Sequence, residues 1–384
     1  MDVGNSCTKT LAILCSRDSL SRVRFLFLNQ YFPPDPAPTG ILLRELGDEL
    51  AACGHAVNYV AAGQVYRTKK KDRLRIVREL RGLVAMAWRA LSAPRADVII
   101  SATSPPCLLI GAAVLAKLRG AKSVHWLMDM YPELAVSLGE IKPGVVSQAL
   151  SAAMGWAYRN CDVIVALDED MAERLRGHGV NVEIIPPWVL KPLLKPVDEP
   201  QHAVSTNPPA WVYSGNLGRA HEWRTLLDAQ ALLEKSGLPV WLRFQGGGGS
   251  RIPAQRHADA LGLKQVEWCD YVPEGELRAV LSSAGALVVT QKPEVQGLLW
   301  PSKLALMFDL GRPILWVGPA DGAVARSLRE IPSSGVFAPG DAAGVAAWVR
   351  KTLLDFPPET IRACDAAENR LKSLEKWAQI LNFD

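Results

Sequence analysis

Residues 290–311, TQKPEVQGLLWPSKLALMFDLG, combine side chains and backbone that could bind a phosphate. Gly297 lies in a loop that runs into a helix predicted from about Ser302. The unpaired N–H groups and the dipole at a helix start stabilise an anion, above all a diphosphate. Ser302 and Lys303 add a hydroxyl group and a cation at that place. The alternative is a connector in which Pro301 and Ser302 only start the helix.

Two glycine-containing loops that follow predicted strands could also approach a phosphate. In the first, SGNLGR at 214–219, Gly215 allows close approach of the backbone and Arg219 could bond a phosphate at two points. A solvated loop residue is the alternative for Arg219. The second loop, Gly246–Gly249, lacks the G-x-G-x-x-G spacing of a dinucleotide fingerprint and its acidic residue about 20 positions later. A flexible turn is therefore its alternative.

Size and composition indicate two ordinary globular domains. The chain has 384 residues, 49% of them hydrophobic, and a formal net charge of +4, which does not suggest a nucleic-acid-binding protein. Its 7 cysteines form no C-x-x-C pair, so we expect reduced, buried thiols in a cytoplasmic protein. No apolar run reaches the roughly 20 residues of a membrane-spanning helix. We expect residues 1–22 to be an N-terminal tail, or the product of an upstream start codon, because LAILC is too short for a secretory signal.

Short apolar runs alternate with helical patterns along the chain, which predicts α/β domains built on doubly wound parallel sheets. A Pro-rich stretch at 190–209 has the composition of an interdomain linker. We predict an N-terminal domain over 23–189, a C-terminal domain over 210–365 and a last helix over 366–384 that could pack back on the first domain. Ligands of such sheets bind at the carboxyl ends of the strands. The predicted strands are 23–29, 56–60, 97–101, 122–127, 162–167, 183–185, 210–214, 240–245, 266–268, 286–290, 314–317 and 335–337.

Five motifs, in this order, resemble those of the family-4 glycosyltransferases, and most closely the bacterial enzymes that build O-antigen, capsule and colanic-acid polysaccharides. They are QYFPPDPAPTG, LRELGDELAACGHAV, HWLMDMYPE, YSGNLGRAHEW and PEVQGLLWPSKLALMFDLGRPI, and the resemblance runs from Val23 to about Leu354. It implies the GT-B fold, in which two Rossmann-like domains face each other across a cleft. It also implies a retaining transfer, with the acceptor in the N-terminal domain and the nucleotide sugar in the C-terminal domain.

The resemblance also assigns roles to particular residues. It implies that Gly40 lies beside the donor diphosphate and the acceptor, and that Asp129 contacts the transferred sugar or the acceptor. The loop at Gly246 would form a wall of the nucleotide pocket, and Tyr271 would lie beside the base. The residues predicted to bind the donor are Gly40, Gly215, Asn216, Arg219, Gly246, Tyr271, Gly297, Leu298, Ser302 and Lys303, and those predicted to act in catalysis are Asp129 and Glu294.

The chain departs from the family pattern in the SGNLGR loop. The family often carries an Arg after the first glycine of this loop and a Lys shortly before the next helix, whereas Asn216 and His221 stand at these positions. Arg219 and Lys303 would then supply the positive charge.

A second departure concerns the two Glu, seven residues apart in the family pattern, that the family usually carries near residue 300. The corresponding positions hold Leu298 and Leu306. Either Glu294 has taken the role of contacting the sugar, or the backbone amides of residues 297–299 have.

Acidic residues near strand ends are the remaining candidates for chemistry. Asp129 is favoured over Glu133, which is either a second carboxylate in the cleft or a helix-start residue, and over His125, which we interpret as an interior histidine. The D-x-D sequence at 168–170 follows a strand and opens a helix, which predicts a helix cap rather than a metal site. We expect no metal and no cofactor besides the nucleotide-sugar donor.

The segment Arg67–Arg89 carries nine Lys or Arg against two acids, and its apolar residues largely share one helical side. A basic amphipathic helix of this kind can lie on an anionic membrane surface. The alternative is a helix that covers the first sheet and has a solvated basic face.

These observations predict a cytoplasmic glycosyltransferase, peripheral to the inner face of the cell membrane. It would move a sugar from a nucleotide-sugar donor to a polyprenyl-diphosphate-linked or oligosaccharide acceptor in cell-surface polysaccharide biosynthesis. The alternatives are a catalytically degenerate nucleotide-sugar-binding subunit of a polysaccharide assembly complex and a nucleotide-sugar epimerase with the same architecture. An oxidoreductase is disfavoured because the dinucleotide fingerprint is absent.

Overall fold

In the part of the chain that the structure describes, two six-stranded parallel sheets form the cores of two units. This computed structural model describes residues 22–62, 75–194, 209–355 and 366–381. The first unit comprises the described chain up to Pro187, Gly297–Trp300 and the residues from Arg370. The second comprises Trp188–Gln296 and Pro301–Asn369. The doubly wound α/β class predicted from the sequence is confirmed in both units.

The sheet of the first unit consists of short apolar segments in the order β2-β1-β3-β4-β5-β6. Its strands are β1 (Arg24–Leu28), β2 (Ala56–Val60), β3 (Val98–Ala102), β4 (Lys122–Trp126), β5 (Val163–Ala166) and β6 (Val182–Ile184). Every residue of β3 and β5 is buried, which explains why these segments are continuous apolar runs instead of alternating patterns. β1 lies between β2 and β3, so the strand order reverses between β1 and β3.

In the described part of the chain, helices connect these strands. They are α1 (Pro38–Ala52), α2 (Arg75–Ser92), α3 (Leu108–Arg119), α4 (Glu133–Ser137), α5 (Val145–Arg159) and α6 (Glu169–Arg176). The predicted cap of α6 is confirmed, because the Asp168 carboxylate accepts a hydrogen bond from the backbone N–H of Met171 at 2.9 Å.

The second unit repeats the architecture, with the strand order β12-β11-β10-β7-β8-β9. Its strands are β7 (Ala210–Ser214), β8 (Trp241–Gln245), β9 (Val266–Cys269), β10 (Ala286–Thr290), β11 (Ile314–Val317) and β12 (Gly335–Phe337). Its helices are α7 (Arg224–Lys235), α8 (Arg251–Ala260), α9 (Glu274–Ser282), α10 (Leu304–Leu310), α11 (Ala323–Arg329) and α12 (Ala342–Arg350). The chain runs from β7 outward to β9 and then returns to β10, so the order reverses between β7 and β10.

The last helix, α13 (Ala366–Leu381), contributes its residues from Arg370 onward to the first unit. Trp377 is fully buried, and its ring packs edge-on against Trp126 with 5.0 Å between the ring centroids. Arg370 is also buried and donates a hydrogen bond to the carboxylate of Glu49 on α1 at 2.8 Å. An apolar contact and a buried ion pair therefore hold this helix on the first sheet.

One expectation about the cysteines is wrong. Cys53 is disulfide-bonded, whereas Cys107, Cys161 and Cys269 are free. Cys53 lies just after α1 in a turn and is half-buried. The predicted tail at residues 1–21, most of the predicted linker and the basic residues 67–74 lie outside the described residues.

Candidate functional site

The carboxyl ends of β7 and β10 meet at the point where the strand order of the second sheet reverses. Such switch points are where α/β sheets bind ligands. The two loops that leave these strands are joined by backbone, since the N–H of Lys292 donates to the carbonyl of Ala220 at 2.8 Å. The His221 ring adds a second bond, from Nδ1 to the carbonyl of Thr290 at 2.8 Å.

Lys303 places its amine at this switch point, against the ring of Tyr213. The Nζ atom lies 3.7 Å from the centroid of the Tyr213 ring, and among the described residues it has no hydrogen-bond partner although it is buried. Burial lowers the pKa of this amine to about 7. An unpaired buried cation is costly, and an anion bound beside it would offset that cost.

One glycine loop lies directly beside this amine, and a second glycine loop packs against the first. An added Cβ atom at Gly215 would lie 3.5 Å from the Lys303 Nζ. An added Cβ at Gly246 would lie 2.3 Å from the carbonyl oxygen of Gly215, and the φ angle of Gly246 is +120°. The N–H of Leu217 also donates to the carbonyl of Gly247 at 2.6 Å. Only glycine allows the two backbones to approach so closely.

The ring of Tyr271 packs against the second glycine loop, at Gly246 and Gly247. An added Cβ at Gly247 would lie 3.0 Å from its ring, and the Tyr271 hydroxyl donates to the side-chain oxygen of Asn216 at 3.4 Å. The residue is 44% exposed, so a planar ligand could stack on its ring.

His221 contributes more to this site than its sequence position indicated. Burial, together with the nearby charge of Lys303, lowers the pKa of its imidazole to about 3, so the ring is neutral near pH 7. Because the carbonyl of Thr290 can only accept, Nδ1 carries the proton and Nε2 is an acceptor. One signal in the sequence marks this residue, because it stands where the pattern of the resembled family has a lysine.

Two further polar atoms at strand ends were missed from the sequence. Among the described residues, the side-chain oxygen of Gln245 at the end of β8 and the hydroxyl of Thr290 at the end of β10 are buried without hydrogen-bond partners. Both occupy the last position of their strands, which is the sequence signal that marks them.

Arg219 and Ser302, which were predicted to bind the donor, and Glu294, which was predicted to act in catalysis, are exposed. Arg219 and Ser302 lie in loops or turns, and Glu294 lies in a single 3₁₀ turn at Pro293–Val295. Their predicted roles stay predictions. The helix expected from Ser302 begins instead at Leu304, because residues 302 and 303 form a turn in which the N–H of Leu304 donates to the carbonyl of Pro301.

Gly297 and Leu298 belong to the first unit and not to the helix start at which they were expected. The carbonyl of Leu298 accepts a hydrogen bond from the N–H of Met130 at 2.7 Å, and Leu299 forms an antiparallel bridge with Asp129. The backbone of this segment is therefore engaged by the chain after β4. The Leu298 side chain is buried, which accounts for an apolar residue at a position where the family has an acid.

Asp129 is the candidate carboxylate of the first unit. The Thr103 hydroxyl accepts hydrogen bonds from the backbone N–H of Met128 at 2.8 Å and from that of Asp129 at 3.3 Å. These bonds hold the turn after β4. Burial raises the pKa of the Asp129 carboxyl to about 6. The group is therefore ionised near pH 7 but close to its titration range.

The neighbouring candidates serve the interior of the first unit. His125 is buried, its Nδ1 lies 2.8 Å from the Ser101 hydroxyl, and burial lowers its pKa to about 3, as expected for an interior histidine. Glu133 begins α4 and accepts a hydrogen bond from Ser151 at 2.9 Å.

Gly40 allows α1 to pack against the loop after β1. An added Cβ there would lie 2.4 Å from the carbonyl oxygen of Tyr31. A larger residue would push the loop away from the helix, whatever ligand lies nearby. The predicted role of Gly40 beside the donor stays a prediction.

No group of three or more His, Cys, Asp or Glu side chains in the described residues could hold a metal ion. In the same part of the chain, no helix is long and apolar enough to cross a membrane.

The sequence and fold are similar to those of known glycosyltransferases. Residues 39–188 match the glycosyl transferase 4-like domain. The probable glycosyltransferase WbjE of Pseudomonas aeruginosa is 26% identical over 62% of this chain, a match that spans 61% of that relative. The putative colanic acid biosynthesis glycosyl transferase WcaI of Escherichia coli is 24% identical over 71% of this chain and 70% of that relative.

Solved structures share the fold at low sequence identity. Anabaena HepE, solved with UDP and glucose, superposes with a TM-score of 0.66 at 14% identity, covering 94% of this chain and 99% of HepE. The lipopolysaccharide biosynthesis glycosyltransferase WaaG gives 0.64 at 16% identity, covering 94% and 100% of the two chains. Together with the matched domain and two parallel-sheet units, these likenesses show a chain that has the GT-B fold and is similar in sequence to family-4 glycosyltransferases.

Proposed function

We propose that this protein transfers a sugar, with retention of configuration, from a nucleotide-sugar donor to a lipid-linked or polysaccharide acceptor. The observation that carries the proposal is the buried amine of Lys303, which has no hydrogen-bond partner among the described residues and lies beside the Gly215 loop at the switch point of the second sheet. A diphosphate is the anion that such a combination of cation and close backbone suits. The names of WbjE, WcaI and WaaG support a place in the synthesis of surface polysaccharides.

In this proposal the donor lies in the second unit. Lys303 stabilises the charge that develops on the leaving nucleoside diphosphate, and Arg219 supplies a second cation from the loop after β7. Tyr271 offers the accessible side of its ring to the base, next to Gly246. Gly215 and Asn216 belong to the same loop as Arg219, and Ser302 immediately precedes Lys303 in the sequence.

The acceptor lies in the first unit in this proposal, with Asp129 as the carboxylate that binds or activates it. Gly40 opens the helix after β1, at the switch point of the first sheet. Glu294 is the acid proposed to contact the transferred sugar. We place the protein in the cytoplasm, peripheral to the inner face of the membrane, because lipid-linked acceptors are found there.

The first experiment is a thermal-shift screen with the sugar nucleotides of UDP, GDP, ADP and dTDP. Stabilisation by one nucleotide class identifies the donor base, and a transfer assay with polyprenyl-diphosphate-linked sugars then tests the activity. A folded protein that no nucleotide stabilises would contradict a preformed donor site.

Arg219→Ala should weaken binding of the identified donor by about 1.5–3 kcal/mol if the guanidinium makes a charge-assisted bond to phosphate. The exposed Arg256 on α8, changed to Ala, is a matched control. An Arg219 variant with the affinity of the control would remove Arg219 from the site.

A second candidate function is a nucleotide-sugar-binding subunit that has lost catalysis. It is favoured by the burial of Leu298 and Leu306 at the positions where the family has its two acids. Donor binding without either transfer or slow donor hydrolysis would support this function, whereas sugar transfer would exclude it.

A further inference from the structure

The His221 ring is held in one orientation at the end of the loop that leaves β7. Its Nδ1 atom lies 2.8 Å from the carbonyl oxygen of Thr290, and its ring packs edge-on against Tyr213 with 5.6 Å between the ring centroids. The backbone N–H of His221 donates to the carbonyl of Gly218 at 3.3 Å. An imidazole that is fixed by its ring and by its backbone has both nitrogen atoms in defined places, so each nitrogen has a definite hydrogen-bonding role.

The second ring nitrogen, Nε2, is left for a ligand. In the described part of the chain, the hydrogen bond of the ring involves Nδ1, which carries the proton because a carbonyl can only accept. Burial and the nearby charge of Lys303 oppose a second proton on the ring. His221 keeps part of its surface accessible. Nε2 therefore offers a lone pair that a hydrogen-bond donor can reach.

The Nε2 side of the ring lies toward the loop that contains Gly215. An added Cβ at Gly218 would lie 4.0 Å from Cδ2 of His221, the ring atom bonded to Nε2. On the face of the Tyr213 ring, the Lys303 amine lies 3.7 Å from the ring centroid, while His221 packs against the same ring. A donor and an acceptor of hydrogen bonds thus flank one tyrosine.

Lys303 and His221 suit different parts of a ligand. An ammonium group donates hydrogen bonds, and phosphate oxygens accept them. An ionised diphosphate has acceptors alone, so it cannot bond to the lone pair of Nε2. That nitrogen requires a hydroxyl or an N–H group. A lysine stands at position 221 in the pattern of the resembled family, so this chain has an acceptor where that pattern has a donor.

The order of the strands puts this acceptor on the sugar side of the proposed diphosphate. Tyr271, proposed to lie beside the base, follows β9, and Gly215, beside Lys303, follows β7. His221 is bonded to the last residue of β10, which lies on the opposite side of β7 from β8 and β9. A nucleotide sugar that runs along the strand ends from its base to its diphosphate brings its sugar to β10.

We propose that Nε2 of His221 accepts a hydrogen bond from a hydroxyl group of the transferred sugar. The contact makes the site prefer a sugar nucleotide to the free nucleoside diphosphate. The inference rests on the proposed function, because it assigns a contact within the proposed donor site.

Two variants separate the contact with the ligand from the bond between the loops. His221→Asn keeps an N–H group that can donate to the carbonyl of Thr290, but it has no acceptor at the position of Nε2. His221→Gln has a side-chain oxygen that reaches the position of Nε2. We expect the Asn variant to lose the preference for the sugar nucleotide and the Gln variant to keep most of it. His257→Asn changes a histidine of the same unit that is bonded to Asp228 at 2.7 Å, and it should leave the preference unchanged.

The measured quantity is the Kd of the free diphosphate divided by the Kd of the sugar nucleotide, both from isothermal titration calorimetry. The probes are UDP, GDP, ADP and dTDP, together with UDP-glucose, UDP-N-acetylglucosamine, GDP-mannose, ADP-glucose and dTDP-glucose. For the preferred pair, His221→Asn should lower this ratio about 3- to 10-fold, as expected for the loss of one hydrogen bond between neutral groups, with little change in the Kd of the diphosphate. His221→Lys should bind the free diphosphate more tightly than the wild type does and should also lose the preference.

The proposal is overturned if His221→Asn is folded, by circular dichroism and thermal unfolding, and keeps the wild-type ratio. His221→Lys, which also lacks an acceptor, gives the same comparison if the Asn variant does not fold. A wild type that binds no sugar nucleotide more tightly than its free diphosphate would also overturn the proposal.

Two further outcomes have separate meanings. An equal loss of affinity for the diphosphate and the sugar nucleotide in His221→Asn overturns the contact with the transferred sugar, and a smaller loss for the 2′-deoxy diphosphate then assigns the hydroxyl to the ribose. A wild type that binds none of the probes contradicts the proposed function, and this inference with it. Nucleotide binding with an unchanged ratio contradicts the role of His221 alone.

Discussion

Replacing Lys303 by Met should weaken nucleotide binding and remove most of its pH dependence. The amine is buried without a protein partner among the described residues, 3.7 Å from the centroid of the Tyr213 ring. A charge-assisted hydrogen bond to a phosphate contributes about 1.5–3 kcal/mol. At one factor of ten for about every 1.4 kcal/mol, the Kd of the preferred nucleoside diphosphate should rise about 10- to 150-fold.

The pH dependence follows from the burial of the same amine. Its pKa is lowered to about 7 in the free protein, and a bound diphosphate raises it again because the charges are opposite. Binding above pH 7 therefore requires uptake of a proton, and affinity should fall by up to about tenfold per pH unit until the usual lysine range is reached. Isothermal titration calorimetry between about pH 6 and pH 9, in buffers of different ionisation enthalpy, measures both the Kd and the proton uptake.

The free energy of unfolding gives an independent check on Lys303. The folded-state pKa of Lys303 lies below the usual lysine pKa of 10.5, so between about pH 7 and pH 10.5 the unfolded chain binds more protons than the folded chain. The free energy of unfolding of the wild type therefore increases as pH rises through this window. The Lys303→Met variant should not show this increase. Urea denaturation at several pH values compares this variant with Lys235→Met, which changes an exposed lysine at the end of α7. A Lys303 variant with the Kd and pH slope of the Lys235 control would refute the reasoning.

Three further variants test the packing and the charges. Gly246→Ala should lower the free energy of unfolding by at least about 2 kcal/mol, because the added Cβ meets backbone and the φ angle is strained, whereas Gly249→Ala has open space and should change it little in urea titrations. Arg370→Met should cost about 3–5 kcal/mol by leaving Glu49 buried without its partner, and a calorimetric melting temperature equal to that of the wild type would contradict this. The pKa of Asp129 is raised from 3.8 to about 6, so the folded state binds more protons in this window and wild-type stability should fall as pH rises through it. Asp129→Asn should flatten that slope in melting curves between about pH 4 and pH 7, and an unchanged slope would assign it to another group.

The sheets could be predicted closely from the sequence because burial on both faces makes each parallel strand a continuous apolar run. The strands at 56–60, 210–214 and 286–290 have the predicted bounds, and the last helix has its predicted start. The order of strands could not be predicted, since hydrophobic runs do not specify their neighbours. The switch point between β7 and β10 emerges only from the pairing.

The candidate site was predicted unevenly. Lys303 and Gly246 could be identified because a loop that approaches a phosphate needs a cation and glycine. His221 and Thr290 were missed as site residues because their roles depend on a hydrogen bond between two loops that are 69 residues apart in sequence. The start of α10 was misplaced because Pro301 and Ser302 favour both a turn and a helix start, and local sequence does not distinguish the two.

Because the chain returns to the first unit at Arg370, an engineered fragment of that unit must include the C-terminal helix. A fragment that stops at the apparent end of the N-terminal sheet would expose the face of Trp126 that Trp377 covers, and it would leave Glu49 without its arginine. Such a fragment should aggregate even though its sheet is complete. Chimaeras that exchange donor-binding units between relatives should therefore keep the C-terminal helix with the N-terminal sheet, so that each exchange requires two junctions in the chain.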